Sequence, residues 1–412
     1  MEEELRISLR DGEWPCTYTD HDRQIVRAIV TDGADRFWFV RASRDDDFGR
    51  ATLIETSGGG VEPGEDPDAA IRRELKEELG AEVEILCRLG VVSDYYNLIH
   101  RHNINRYYLC RALSFSERHL TRDEIEEFHL SPLHLTYEEA AAEYAARACT
   151  PLGRLIARRE LPILRRAREV LAGQDTLDCV SVENMRLSDA LTIRAMVPGR
   201  TLMYRAALGV FRAADWAGET AIAVGGGNNG GDGWALACIL AGRGFRCRIV
   251  QLSDRLSEDG AYFAAKAAAL GVPAAPYAPG AFSGCDTVAD CLLGTGFQGS
   301  LREPWLSAVR EINACGARVV SVDINSGMNG DTGEAETAVH SDLTVTVGFV
   351  KRGQVTENAG RWVKRLVIAD IGIVPARGEY RIRRPGAPEA AGDLPCPPWL
   401  VWDPVDVRFE EE

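Results

Sequence analysis

Three glutamates, Glu74, Glu77 and Glu78, stand at i, i+3 and i+4 within "GGVEPGEDPDAAIRRELKEELGA" (59–81). On a helix that spacing puts all three on one face. Like charges so placed repel, so either the face is simply solvated or a cation sits on it. A hard divalent ion such as Mg2+ or Mn2+ suits carboxylate oxygens and keeps positions for water and a substrate phosphate. A second set of polar residues follows apolar runs in "TAIAVGGGNNGGDGWALA", "DTVADCLLGTGFQGS" and "VVSVDINSGMNGDTG". Six glycines among the nine residues 225–233 bring backbone close to something, and Gly225, Gly227 and Gly230 have the GxGxxG spacing of a dinucleotide-binding turn. Asp232 argues against a pyrophosphate held at that helix start, because two anions would repel there. It reads as a helix cap, or as an acceptor for ligand hydroxyls or loop amides. Asn229, Asp290 and Ser326 offer one carboxylate and neutral oxygens, a set that fits K+ better than Mg2+. Asp290 lies in an apolar run and must be satisfied by a cation or by hydrogen bonds. Asp323, at the end of another run, is an acid/base candidate. Lys351 in "GFVKRG" is a second candidate, and reads equally as an exposed surface lysine. His100 and His102 in "NLIHRHNINR" read as surface-loop histidines.

Local signals position the acidic face. Asp66 can cap a helix over 66–79, Pro67 fits its first turn, and Gly80 suits a left-handed stop. Residues 1–150 otherwise carry strand-like runs such as "QIVRAIVTDG", "RFWFVRAS" and "NRYYLCRAL", which predict an α+β sandwich. Residues 151–173 read as helical with an interruption at Pro162. From about 187, six apolar strands alternate with helices at 231–243, 258–270 and 303–314, the pattern of a mostly parallel α/β sheet covered on both faces. Loops at the carboxyl ends of such strands gather in one crevice. The expected organisation is a domain over 1–174, a linker over 175–186, a domain over 187–376 and an irregular Pro- and acid-rich tail over 377–412.

The chain has 412 residues and a net charge of −15. An acidic chain repels nucleic-acid phosphates, so wholesale nucleic-acid binding is not expected. Its eleven cysteines include no CxxC pair, which points to reduced thiols and a cytoplasmic setting. No signal peptide is read at the start, and no apolar run reaches membrane-spanning length.

Gly59, five residues, Glu65, seven residues and then "RELKEELG" (73–80) resemble the Nudix box, with Ala81 where that family has a larger aliphatic residue. The resemblance covers about residues 24–170. It implies a Nudix α/β/α sandwich that hydrolyses a nucleoside diphosphate linked to a group X. It further implies Glu74 and Glu78 as metal ligands, Glu77 as ligand or water orienter, and Arg73 with Glu65 as a pair tying loop to helix. Residues 187–373 resemble the YjeF N-terminal domain of the NAD(P)H-hydrate epimerases, in "LTIRAMVPGRTLMYRAA", "GNNGGDG", "DCLLGTG", "DINSGMNGDTG", "AVHSDLTVTVGFVKRG" and "VIADIGI". This resemblance implies a Rossmann-like three-layer αβα domain that interconverts the R and S hydrates of NADH and NADPH, with K+ bound. Carried over by motif, Asn228, Asn229, Gly230, Gly231 and Asp232 line the substrate, as do Gly294, Thr295, Gly296, Phe297, Gln298, Gly299 and Ser300. Asp323 contacts the substrate and is the catalytic candidate; Asn229, Asp290 and Ser326 hold K+. The chain departs from the family at Asn325 (usually proline), at Leu208 (usually glycine) and in "GGG" for "GPG". The joint implication is a bifunctional enzyme of nicotinamide nucleotide repair, expected as a homodimer. Its ligands would be nicotinamide dinucleotide hydrates and a nucleoside diphosphate derivative. The rival reading is a Nudix hydrolase with a non-catalytic ligand-binding or dimerising module.

Overall fold

The computed structural model describes residues 4–412 except 17, 34, 174 and 388–391. They form two compact units, 4–173 with 190–197, and 175–189 with 198–412.

The first unit is a mixed sheet with helices. It runs β1 (Leu5–Leu9), β2 (His21–Thr31), β3 (Arg36–Asp46), β4 (Gly49–Glu55), β5 (Ser57–Gly60), α1 (Pro67–Leu79), β6 (Ala81–Tyr96), β7 (Arg101–Phe115), α2 (Arg122–Glu126), β8 (Ser131–Thr136), α3 (Tyr137–Arg147) and α4 (Pro151–Ala172). The strand order is β1-β6-β7-β2-β3-β4, with β5 on β2 and β8 on β3. Consecutive strand residues point to opposite faces. Tyr108 accordingly hydrogen-bonds Asp68 at the start of α1, and Tyr107 hydrogen-bonds Glu160 on α4. The two helices therefore cover opposite faces. Ile71, Leu75 and Leu79 of α1 pack on Val26, Ala28 and Val30 of β2, and Ala81 is buried in the same cluster. The expected caps are present: Asp66 accepts from the amides of Asp68 and Ala69, Pro67 opens the helix, and Gly80 closes it at φ 70°. Helix α4 runs unbroken through Pro162, contrary to the expected interruption. The missing N–H costs about 3 kcal/mol. The apolar face made by Leu155, Ile156, Leu161, Ile163 and Leu164, all buried, offsets it.

The second unit begins with β9 (Thr176–Val180), the first half of α5 (Val182–Ala195, whose residues from 190 on belong to the first unit) and α6 (Gly199–Ala213). There follow β10 (Glu219–Val224), α7 (Asn228–Gly242), β11 (Arg246–Gln251), α8 (Glu258–Ala269), β12 (Ala274–Pro276), β13 (Thr287–Cys291), α9 (Trp305–Ala314), β14 (Arg318–Val322), β15 (Leu343–Val347), β16 (Val350–Lys351), β17 (Leu366–Asp370), β18 (Tyr380–Arg383), β19 (Leu394–Pro395) and β20 (Val405–Asp406). Eight strands in the order β12-β11-β10-β13-β14-β15-β17-β20 make an all-parallel sheet. Ala221, Ala223 and Val288 face α9, while Val224 and Cys291 face α7, so helices flank both sides. The order reverses at β10, where the chain goes out to β11 and β12 and returns to β13 on the other side. Crevices for ligands open at such a reversal.

Two stretches are more ordered than their composition suggested. Residues 175–186, expected as a linker, contain β9, which pairs with β16 and β18 in a second, four-stranded sheet. Residues 377–412, expected as an irregular tail, supply β18, β19 and β20. Ile382 and Val407 from this stretch are buried, and Arg205 of α6 donates to the Glu410 carbonyl at 2.9 Å. The few apolar residues between the prolines decide its structure.

Candidate functional site

In the first unit the glycine strand β5 and helix α1 bring the acidic residues together. A Cβ on Gly59 would lie 2.5–2.7 Å from the Glu74 carboxylate atoms, so only glycine lets that carboxylate rest on the strand. Glu78 Oε2 accepts from the Ser57 hydroxyl at 2.5 Å and from the Gly58 amide at 2.9 Å. Glu74 and Glu78 are buried, whereas Glu77 is more exposed. Arg73 spans the group. It pairs in a fork with Glu65 at 3.0 and 2.9 Å, reaches Glu74 at 2.8 Å and Glu77 at 3.2 Å, and donates to the Gly60 carbonyl at 3.1 Å. Its hydrogen bonds hold the Glu65 carboxyl below the usual range. The loop is thus tied to the helix by one guanidinium. Among the described residues, no three His, Cys, Asp or Glu side chains converge as a ready-made metal cage. Mg2+ does not require one, because it keeps several waters and takes one or two carboxylates. The donor chemistry of this face fits a hard divalent ion.

His102 lies in β7 rather than in a loop. It contacts Ser93 Oγ and Asp22 Oδ1, each at 2.7 Å, and stacks on Tyr95. His100 stacks on Tyr18.

In the second unit the loops after β10, β13 and β14 meet. The Gly225 amide donates to the Cys291 carbonyl at 3.2 Å, and a Cβ on Gly225 would strike the Leu292 carbonyl. Helix α7 starts at Asn228, three residues earlier than expected, with Gly227 as its cap. Asp232 is therefore the fifth helical residue and not a cap. The glycines divide by role. Gly230 abuts the Gly225 carbonyl, Gly231 abuts Met203 and Gly260, and Gly233 abuts Val224 and Cys291. These three let the helix start pack on its own protein. Gly227 and Gly296 face open space, with no atom within 4 Å of an added Cβ. Gly294 lies against Asn229, and the remainder of 295–300 is a part-exposed loop.

Asp290 is fully buried at the end of β13. Its carboxylate accepts from the Ser326 hydroxyl at 2.6 Å, the Ser321 hydroxyl at 2.8 Å, the Ser326 amide at 3.0 Å and the Leu292 amide at 3.4 Å. Burial pushes its pKa up and these bonds pull against the rise. Asn229 donates to the Leu293 carbonyl at 3.0 Å, while its Oδ1 is buried and has no partner among the described residues. One orphaned neutral oxygen near one hydrogen-bonded carboxylate fits a weakly charged cation.

Asp323 follows β14 at φ 66°, a left-handed conformation rare outside glycine. Its carbonyl accepts from Gln354 at 2.7 Å, and its Oδ1 accepts from the Val347 amide at 3.1 Å and from Lys351 Nζ. Lys351 is not the exposed surface lysine that the sequence left open. It is fully buried, and its ammonium also donates to Val347 O at 2.7 Å and Thr346 Oγ1 at 3.1 Å. All three of its N–H donors are committed. Strand β9 holds its backbone from the side, with Val180 opposite Lys351. Asp323 Oδ2 carries no hydrogen bond among the described residues. Two half-buried carboxyls share this charge environment, Asp232 and Asp189. Burial pushes both up, and Asp323 pushes them further. Sequence reasoning missed Asp189, on α5, because only the fold brings "RLSDALTIR" near β14.

The departures from the family pattern are absorbed by packing. Asn325 is fully buried, with Nδ2 directed to Val339 O, Ser341 Oγ and Trp362 O and with Oδ1 accepting from Thr344. Leu208 is buried on α6.

Residues 199–353 match the family model for the YjeF-related protein N-terminus, and residues 21–150 match that for the NUDIX domain. The NAD(P)H-hydrate epimerase of Limosilactobacillus fermentum is 33% identical over 203 residues, which is 47% of this chain and 97% of that protein. The bifunctional NAD(P)H-hydrate repair enzyme Nnr of Coxiella burnetii is 34% identical over 199 residues, 46% of this chain; the chain spans 40% of that protein's length. Among solved structures, a NUDIX hydrolase from Nitrosomonas europaea matches at 20% identity and a TM-score of 0.27, covering 30% of this chain and 79% of that one.

Proposed function

We propose that this chain, which belongs to the NAD(P)H-hydrate epimerase family and carries a NUDIX domain ahead of that region, has two activities. One interconverts the R and S hydrates of NADH or NADPH. The other hydrolyses the pyrophosphate bond of a nucleoside diphosphate derivative. We assign the hydrolase to residues 1–174 and the epimerase to 187–376, extended by β9 before it and by the C-terminal strands β18, β19 and β20 after it. The observation that carries the epimerase reading is Asp323. One of its oxygens is locked by a buried lysine, and the other carries no hydrogen bond among the described residues.

Epimerisation at C6 requires either loss and re-addition of the hydroxyl or opening and reclosure of the ring. Both need a proton given and a proton taken. Asp323 Oδ2 takes the proton, and Lys351, bound to Oδ1, holds that carboxylate in place. Asp232, its carboxyl pushed up by burial and by Asp323, is suited to hold the proton that is given. The loop glycines Gly227 and Gly296 leave room for the dinucleotide, with 228–232 and 294–300 along it. Asn229 Oδ1, with Asp290 and Ser326 behind it, would hold K+, which supplies fixed positive charge to the loop.

In the other unit Glu74, Glu77 and Glu78 would hold Mg2+ or Mn2+. Such an ion supplies Lewis-acid polarisation of a phosphoryl oxygen and an acidified water. Arg73 and Glu65 keep the loop fixed while the carboxylates hold their places.

Purified (R)-hydrate of NADH, with K+ present and EDTA added to silence the hydrolase, tests the first activity. Chromatography should show the S epimer appearing faster than in an enzyme-free control. No acceleration would leave this region as a binding module beside a hydrolase.

A further inference from the structure

Arg23 on β2 and Arg101 on β7 are neighbours that make no direct ion pair among the described residues, with Asp94 the carboxylate whose charge acts on Arg101. The parallel register sets Arg23 opposite Asn103, and Arg101 lies two residues before Asn103, on the same face. Such diagonal cross-strand positions are within reach of long side chains. The Arg23 guanidinium lies against Gly60, where an added Cβ would be 3.3 Å from Nη2. The Arg101 guanidinium sits 5.6 Å over the Tyr96 ring, and its Nε is buried with no hydrogen-bond partner. Asn103 is 1% exposed, and its Oδ1 also has no partner. A half-turn of that amide offers an N–H in the same place. On the same face Arg27 and Arg159 pair with Glu55, Asp94 and Glu160. Arg23 and Arg101 make no ion pair among the described residues. Burial and Arg23 both push the Arg101 pKa down, as expected of like charges held together.

We propose that Arg23 and Arg101, with Asn103 between them, form a seat for a phosphate group of the hydrolase's substrate. Two guanidiniums with open donors match a phosphate by charge and by fork geometry. The location fits. Gly59 and Gly60 are consecutive, one bearing the Glu74 carboxylate and the other the Arg23 guanidinium on opposite sides of β5. A phosphate on the seat is therefore a strand's thickness from the acidic face of α1. This assignment rests on the NUDIX reading for its ligand, a nucleoside diphosphate derivative.

The test uses the full-length chain, inorganic pyrophosphate as probe and EDTA to remove metal-mediated binding. Calorimetry should show salt-sensitive binding by the wild type, weakened at least tenfold in Arg23→Gln, a substitution at an exposed side chain. Arg101→Lys should retain part of it. Arg111→Gln, which removes an equal charge from an exposed pair with Glu84, should bind like the wild type. With Mg2+ and a nucleoside diphosphate sugar, Arg23→Gln should raise KM at least tenfold with kcat nearly kept. Pyrophosphate should compete with substrate in the wild type. Wild-type pyrophosphate affinity in Arg23→Gln, or no binding by the wild type at millimolar probe, overturns the seat and leaves the hydrolase standing. Non-competitive inhibition assigns the site to free phosphate and overturns its role toward substrate. Loss of pyrophosphate binding in Arg23→Gln, in a chain that hydrolyses no nucleoside diphosphate derivative, keeps the anion seat and removes the hydrolase.

Discussion

Asp232 and Asp323 are both carboxylates of one glycine-rich crevice, yet their surroundings differ. Lys351 commits its three donors to Asp323, the Thr346 hydroxyl and the Val347 carbonyl, so that carboxylate is matched by a buried charge. Among the described residues Asp232 has no such hydrogen-bonded cation, and burial with Asp323 and Asp189 nearby raises its pKa well above the ordinary value. A carboxyl raised in the folded state binds its proton more tightly there than in the unfolded chain. Its contribution to stability is complete below the unfolded pKa, about 4, and is lost as pH rises through the folded value. Asp232→Asn removes that titration with little change in shape. In melts from pH 4 to 8, the variant should match the wild type near pH 4 and become progressively the more stable of the two as pH rises. A difference that stays flat across this range would mean that Asp232 is not held protonated.

At the scale of elements, β5 and α1 separate stability from chemistry. The Asp66 cap and the Gly80 stop fix the helix ends, whereas Gly59 fixes the Glu74 carboxylate. Asp66→Ala removes two amide contacts and should cost about 1 kcal/mol, with hydrolysis retained by the folded fraction. Gly59→Ala meets only the far end of a flexible glutamate. It should leave the fold intact but displace that carboxylate, lowering kcat on a nucleoside diphosphate derivative by at least a hundredfold. Equal activity losses in both variants, measured beside circular-dichroism melts, would refute this division. The same contrast explains what could be read in advance. Helix α1 was legible because its caps, stop and acidic spacing all lie within about twenty residues. Strand β9 was not, because its partners are Lys351 and Arg383, far along the chain. The sequence leaves Lys351 open between a site residue and a surface lysine for the same reason: burial beside β9 and pairing with Asp323 are long-range facts. Pro162 misled because a local rule was outweighed by the packing of α4.

At the scale of the whole molecule, the two proposed ion sites lie on one acidic chain of net charge −15. The α1 face presents three carboxylates at helical spacing, a density of negative charge that Arg73 offsets in part and a multivalent ion would offset further. The candidate cation position in the second unit presents Asp290, a carboxylate already accepting four hydrogen bonds, and the Asn229 amide oxygen, which has no partner among the described residues. Stripping hydration from a divalent ion for so weak a set is unfavourable, and a large monovalent ion loses less on entering. The two activities should therefore respond to different salts in the same preparation. EDTA should abolish hydrolysis and leave epimerisation unchanged. Exchanging K+ for tetramethylammonium at constant ionic strength should slow epimerisation several-fold and leave hydrolysis with Mg2+ unchanged. Loss of both activities with EDTA would place a divalent ion in the epimerase as well. Indifference of epimerisation to K+ would mean that the orphaned Asn229 oxygen serves the substrate rather than a cation.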